Sequence, residues 1–148
     1  MARSIIAVIV SYIAIFVLTF LAFTCVYMVL HADGAFRPGS FESSKRWLLV
    51  AFVVNFVIAA IGGLICAAIA KGGKAPIALA IVLFVLGLLL AYPSLMAQKA
   101  NVGLVRRGEV PMMEAMQKAH GPTWVPFVFP IVGAVGVLVG SKLKRRAD

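Results

Sequence analysis

Residues Leu48–Ala70 read LLVAFVVNFVIAAIGGLICAAIA, a run of about 23 residues without Asp, Glu, Lys, Arg or His. At a rise of about 1.5 Å per residue, a helix of that length measures roughly 34 Å. The hydrocarbon core of a bilayer is about 30 Å thick. Runs of the same character occupy Ile5–Leu30, Pro76–Ala97 and Trp124–Gly140, and every charge falls outside the four of them. The chain of 148 residues is 63% hydrophobic with a mean hydropathy of +1.06. A soluble domain is only about 45–50% apolar. Inside a bilayer the backbone has no water to bond with, which leaves the α-helix as the form these runs take. The sequence therefore predicts an all-α fold: an integral membrane four-helix bundle, with residues 1–148 forming a single transmembrane domain.

The first run is about twice as long as the apolar core of a cleaved signal. Before Cys25, LAFTC places Phe23 and Thr24 where a lipoprotein-type cleavage site needs small residues, so the segment is expected to stay as a helix. Cys25 and Cys66 each lie near the far end of their own span. Antiparallel neighbours put those ends on opposite sides of the membrane, roughly 15–25 Å apart by helical rise. A disulfide needs Cα atoms within about 7 Å, so two free thiols are expected.

Four spans put both termini on one face. That short face also carries the tight turn KGGK, while the opposite loop face carries HADGAFRPGSFESSKR and the segment Gln98–Thr123. Arg3, Lys71, Lys74, Lys142, Lys144, Arg145 and Arg146 line the short face. Arg37, Lys45, Arg46, Lys99, Arg106, Arg107 and Lys118 line the loop face. The counts tie, but the short-face cations are crowded beside the helix ends, which favours cytoplasmic termini. Asp148 is the only acid on the short face. The net charge of +9 is the cationic rim of a membrane protein, not a nucleic-acid footprint. Trp47, Trp124, Tyr27 and Tyr92 cluster at the loop-face boundary, as interfacial anchors do. RPGSFE in one loop faintly echoes RRGEVP in the other. Each precedes a Trp that opens a glycine-bearing span, as two parallel two-helix halves would produce and as chance would too.

The spans offer little chemistry. They hold no carboxylate, His or Lys, so neither a proton relay nor a nucleophile with its base is supplied. Asn55 is the most polar group within them, and a hydrogen bond to a neighbouring helix is its expected use. Ala59, Gly63 and Ala67 form a small-residue stripe in the second span, and Gly133, Gly136 and Gly140 form another in the fourth. Such stripes let helices approach closely where lipid provides no hydrophobic drive. Pro126 suits a first helical turn, whereas Pro130 is deep enough to kink the fourth span.

The one long polar stretch is VRRGEVPMMEAMQKAHGP, from Val105 to Pro122. Pro111 starts a helix, Glu114 and Lys118 pair at i,i+4, and Gly121-Pro122 stops it. This predicts a short amphipathic helix at 111–120 lying in the interface plane. Met112, Met116 and His120 then share one face. Packing is the simpler use of such a face, and a Cu(I) site is the sharper one.

These features point to a non-enzymatic protein with no resident cofactor, acting as an accessory or assembly subunit or as a homo-oligomer. Its partners are membrane lipids and other membrane subunits or itself, with no nucleic acid. The loop-face charges Arg37, Arg106, Arg107, Glu109 and Glu114 form the expected partner surface. The alternative is a carrier or channel for a neutral solute or lipid, with a cavity lined by Asn55, Tyr92, Ser94 and Pro130. A loop-face Cu(I)-binding protein is the second alternative.

Overall fold

A computed structural model of the chain describes residues 2–71 and 73–147. Gly72 of the KGGK turn and Asp148 lie outside the described residues. Among the described residues, four helices are long and apolar enough to span a bilayer: α1 (Ala2–Ala35), α2 (Lys45–Ala70), α3 (Ala75–Ala100) and α5 (Val125–Ala147). A fifth, α4 (Met112–Lys118), lies in the second long connection. The chain is a multi-pass membrane helical bundle.

Its packing inverts that of a soluble protein. Buried positions are mostly small: Ala7, Ser11, Ala59, Gly63, Ala91 and Gly136. Large aliphatic and aromatic residues such as Phe16, Leu89 and Ile131 face outward. In water, apolar surface on this scale would aggregate; in lipid it is solvated. α1 is the outermost helix, with 11% of its most apolar window buried within the chain against 28% for each of the others.

Going around the bundle, α1 packs on α2, α2 on α5, and α5 on α3. α1 and α3 close the ring at the short face, where Ala7, Cys66, Leu79 and Val137 meet in one cluster, one from each spanning helix. Both cysteines are free, Cys25 exposed and Cys66 buried, as the antiparallel hairpin requires.

The central contact is α2 on α5, which run parallel. A Cβ on Gly63 would strike the Val137 carbonyl, and one on Gly140 would strike the Ala60 carbonyl. Gly63 and Ala60 hold the same places after Trp47 that Gly140 and Val137 hold after Trp124. The contact is thus reciprocal, as across a local two-fold axis. Phe52 and Phe129 are likewise equivalent, and their ring centroids lie 4.7 Å apart. Positions at equal distances from Trp47 and Trp124 thus meet across the α2–α5 contact. Both glycine stripes are consumed inside the chain.

Helix ends differ from the sequence limits for local reasons. α1 is interrupted at His31 (φ 54°, ψ −179°), just past the predicted boundary at Leu30, and resumes for a further turn. α2 begins earlier than Leu48, because the Ser44 hydroxyl accepts from Trp47 N–H at 3.1 Å and caps it. α5 continues past Gly140, carrying Lys142–Arg146 as helix. Pro130 does not break α5. Its ring fits over Gly87 of α3, where a Cβ would come 2.5 Å from Pro130 Cγ. The polar helix is shorter than 111–120: Ala119 is extended (φ −59°, ψ 140°), so His120 leaves the helical register.

A candidate ligand cavity beneath the loop-face cap

The two long connections fold onto each other as a cap. Short bridges join Phe36 to Ser43, Ser40 to Val105, and Glu42 to His120. Arg106 is the rivet. Its guanidinium meets Asp33 Oδ1 at 2.8 Å and donates to the carbonyls of Gly108 at 2.6 Å and Ser40 at 3.4 Å. Its own backbone N–H donates to the Gly39 carbonyl at 3.1 Å. With 5% of its surface exposed, Arg106 is an internal strut and not part of an open partner surface, which corrects the expectation from sequence. A buried guanidinium is tolerable only when its donors are matched, as here.

The other expected surface charges divide. Glu109 is taken up by the cap: its Oε2 accepts from Ala32 N–H at 3.2 Å, satisfying a donor at the restart of α1 beyond His31. Arg37 pairs with Glu42 at 3.2 Å, and Glu114 with Lys118 at 2.7 Å, both partly exposed. Arg107 stands exposed. The cap is also tied to the spans, since the Tyr27 hydroxyl donates to the Val110 carbonyl at 2.7 Å. Asn101 Nδ2 donates to the carbonyls of Gln117 at 2.8 Å and Ala119 at 3.4 Å. Gln98 Oε1 accepts from Gly121 N–H at 3.2 Å. The cap core is apolar, built on Ala32, Phe36, Phe41 and Ala115.

Under α4 lies a cavity of about 400 Å³. Its walls include Phe23, Tyr27, Trp47, Met112, Met116 and His120. A cleft of about 430 Å³ runs between the spanning helices below it. Ser94, Gln98, Val125 and Phe129 border both, so the two spaces adjoin along those residues. The cleft reaches Asn55, Pro130 and Gly133. Of the four residues expected around an internal cavity, Asn55, Ser94 and Pro130 border it. Tyr92 does not: it is 61% exposed on the outer wall of α3 and is the one placement to be corrected.

Asn55 Nδ2 donates to the Phe129 carbonyl at 3.1 Å, so the amide joins α2 to α5 while its flank borders the cleft. Such a bond is worth about 0.6–2 kcal/mol in a membrane. Met112, Met116 and His120 all border the cap cavity, yet they do not share one helical face, because His120 follows the extended Ala119. Its backbone is clamped instead to the first loop, through Phe41 O at 3.1 Å and Ser43 N at 2.8 Å. Among the described residues no group of three His, Cys, Asp or Glu is placed to hold a metal.

Sequence reasoning missed Gln98 and Asn101. They lie one turn apart just beyond the third apolar run, and an amide pair at that spacing was a signal for a polar contact with the following connection. The small-residue positions Ala59, Gly63, Ala67, Gly133, Gly136 and Gly140 are all buried, and Ala59, Gly63, Gly136 and Gly140 lie in the α2–α5 contact. No known protein family, curated protein or solved structure matches the chain.

Proposed function

We propose that this protein binds an uncharged amphiphile from the membrane, its polar end beneath α4 and its apolar part in the cleft between the helices. The observation that carries this reading is the adjacency of the two spaces, which share Ser94, Gln98, Val125 and Phe129 as lining. Together they have the size of a lipid-like molecule, since sites for small ligands fall at roughly 300–1,000 Å³. Among the described residues, no Asp, Glu, Lys or Arg borders either space. A charged head group would find no partner there, whereas hydroxyl, amide and imidazole groups are at hand in Ser43, Gln98 and His120. The same composition favours binding over catalysis, because acid–base or nucleophilic work needs matched ionisable groups.

The accessory-subunit reading draws less support. Its small-residue stripes are buried between α2 and α5, leaving bulky aliphatic walls toward the lipid. Exposed Arg107 and the half-exposed Arg37–Glu42 pair remain for a soluble partner. We place the termini in the cytoplasm, on the density of short-face cations.

The test uses protein purified in mild detergent and analysed by native mass spectrometry. A lipid-like adduct of defined mass should accompany the wild type and be lost in Ser94→Phe, which puts a bulky ring where the two spaces adjoin. As a second readout, a brominated monoacylglycerol should quench Trp47 fluorescence in a Trp124→Phe background, and Ser94→Phe should relieve the quenching. A wild-type protein with no adduct and no quenching overturns the proposal.

A further inference from the structure

At the opposite, short face, a groove of about 370 Å³ runs between α1 and α3. Its walls are Ile5, Val8 and Ile9 of α1 and Ala78 of α3, and Ser4 and Lys74 stand at its outer end. We infer that this groove holds an anionic phospholipid, with the phosphodiester at Lys74 and Ser4 and one acyl chain along Ile5, Val8, Ile9 and Ala78. The polarity of the groove matches such a lipid end to end. Its apolar walls belong to the two spans, and its polar end coincides with the point where the spans leave the hydrocarbon.

Charge complementarity selects an anionic head. Among the described residues, Arg3, Lys71, Lys74, Lys142, Lys144, Arg145 and Arg146 lie on this face and no acid does. Arg3 and Arg145 are among those already engaged: Arg3 Nε donates to the Ile69 carbonyl at 2.7 Å, and Arg145 donates to the Gly73 carbonyl at 2.8 Å. Lys74 is exposed and borders the groove directly. A lysine ammonium is a compact point charge suited to phosphate. The apolar walls commit the occupant to a lipid, since a free phosphate would leave them unused.

The test is independent of the cap cavity. The full-length protein in detergent is mixed with equal dioleoyl-phosphatidylglycerol and dioleoyl-phosphatidylcholine, and retained lipid is read by native mass spectrometry. Wild type should retain phosphatidylglycerol preferentially. Lys74→Gln should lower that preference about fivefold, the weight of one interfacial cation. Ala78→Phe, which fills the groove and keeps every charge, should lower it as well. Lys142→Gln, a same-face control, should retain it, and soluble glycerol 3-phosphate should not displace the lipid. Lys74 and Ala78 are exposed, so thermal unfolding should show all variants folded. Equal losses in Lys74→Gln and Lys142→Gln, meaning a diffuse cationic rim, overturn the inference. So does an unchanged preference in Lys74→Gln or in Ala78→Phe.

Discussion

Gly140 of α5 rests on the backbone carbonyl of Ala60 in α2, and no side chain stands between them. The neighbour is backbone, which cannot turn aside, so any added carbon must push the two central helices apart. Gly140→Ala should therefore destabilise the bundle by about 1–3 kcal/mol, the usual cost of overpacking. Gly133 is the internal control. A Cβ there would find Asn55 Oδ1 at 3.9 Å, an ordinary contact, so Gly133→Ala should stay within about 1 kcal/mol of wild type. Unfolding in mixed detergent micelles distinguishes the two. Equal effects would mean that the α2–α5 contact is not the tight one.

Arg106 and Asp33 form an asymmetric pair: the arginine side chain is 3% exposed and the aspartate 81%. Most of the strength of Arg106 must come from its bonds to the Gly108 and Ser40 carbonyls and from its burial, since an exposed carboxylate is largely screened. Arg106→Gln should cost about 1.5–3 kcal/mol, the range for hydrogen bonds to a charged group. Asp33→Asn should cost less than about 1 kcal/mol. Limited proteolysis between α3 and α4, together with thermal unfolding, reads both. If the two substitutions loosen the cap equally, the ion pair and not the burial is what holds it.

The spans were readable because lipid imposes one requirement, uncharged length, that composition alone reports. Ser44 and the basic tail after Gly140 extended helices beyond those runs, because capping and helix continuation act outside the hydrocarbon and leave no hydropathy signal. The cap was less legible. Arg106 and Arg107 are adjacent and chemically alike, yet one is a buried strut and the other is exposed. Only the meeting of two loops distant in sequence separates them. Tyr92 was misplaced for a related reason: interfacial aromatics carry no periodicity that tells a lipid-facing ring from a cavity wall. Gly87 was unread because its reason, the Pro130 ring, lies on another helix.

His31 interrupts α1 at φ 54° and ψ −179°, a backbone region that β-carbon-bearing residues seldom occupy and that costs on the order of 1–3 kcal/mol. Its side chain is exposed. His31→Gly should therefore hold or raise stability, by up to about 1 kcal/mol, while His31→Val should lower it. Thermal unfolding of the pair checks the sign. A loss in His31→Gly would show that the imidazole makes a contact worth more than the backbone relief.

Met112 and Met116 sit on α4 facing the cap cavity, with Met116 58% exposed. As packing residues they should tolerate leucine: Met112→Leu and Met116→Leu should each change stability by less than about 1.5 kcal/mol. As Cu(I) ligands they would behave differently, because leucine offers no sulfur. Titration of the purified protein with Cu(I) against a competing chelator should show no saturable uptake in either wild type or the double variant. Stoichiometric uptake that disappears in the double variant would restore the metal reading.

Arg107 and Lys142 mark opposite faces of the membrane, since α5 carries Lys142 at the end away from the cap. The short-face cations crowd the helix ends, and cations in that position are retained on the cytoplasmic side. A Cys25→Ser/Cys66→Ala background removes the native thiols. Both are expected to be tolerated, because Cys25 is exposed to lipid and Ala is small enough for the Cys66 site. In that background Arg107→Cys should react with a membrane-impermeant maleimide on intact cells, and Lys142→Cys should react only after permeabilisation. The reverse pattern would put the cap and its cavity in the cytoplasm. The bundle and its cavities would be unaltered, but the amphiphile would then enter beneath a cytoplasmic lid and the groove at Lys74 would meet the lipids of the outer leaflet.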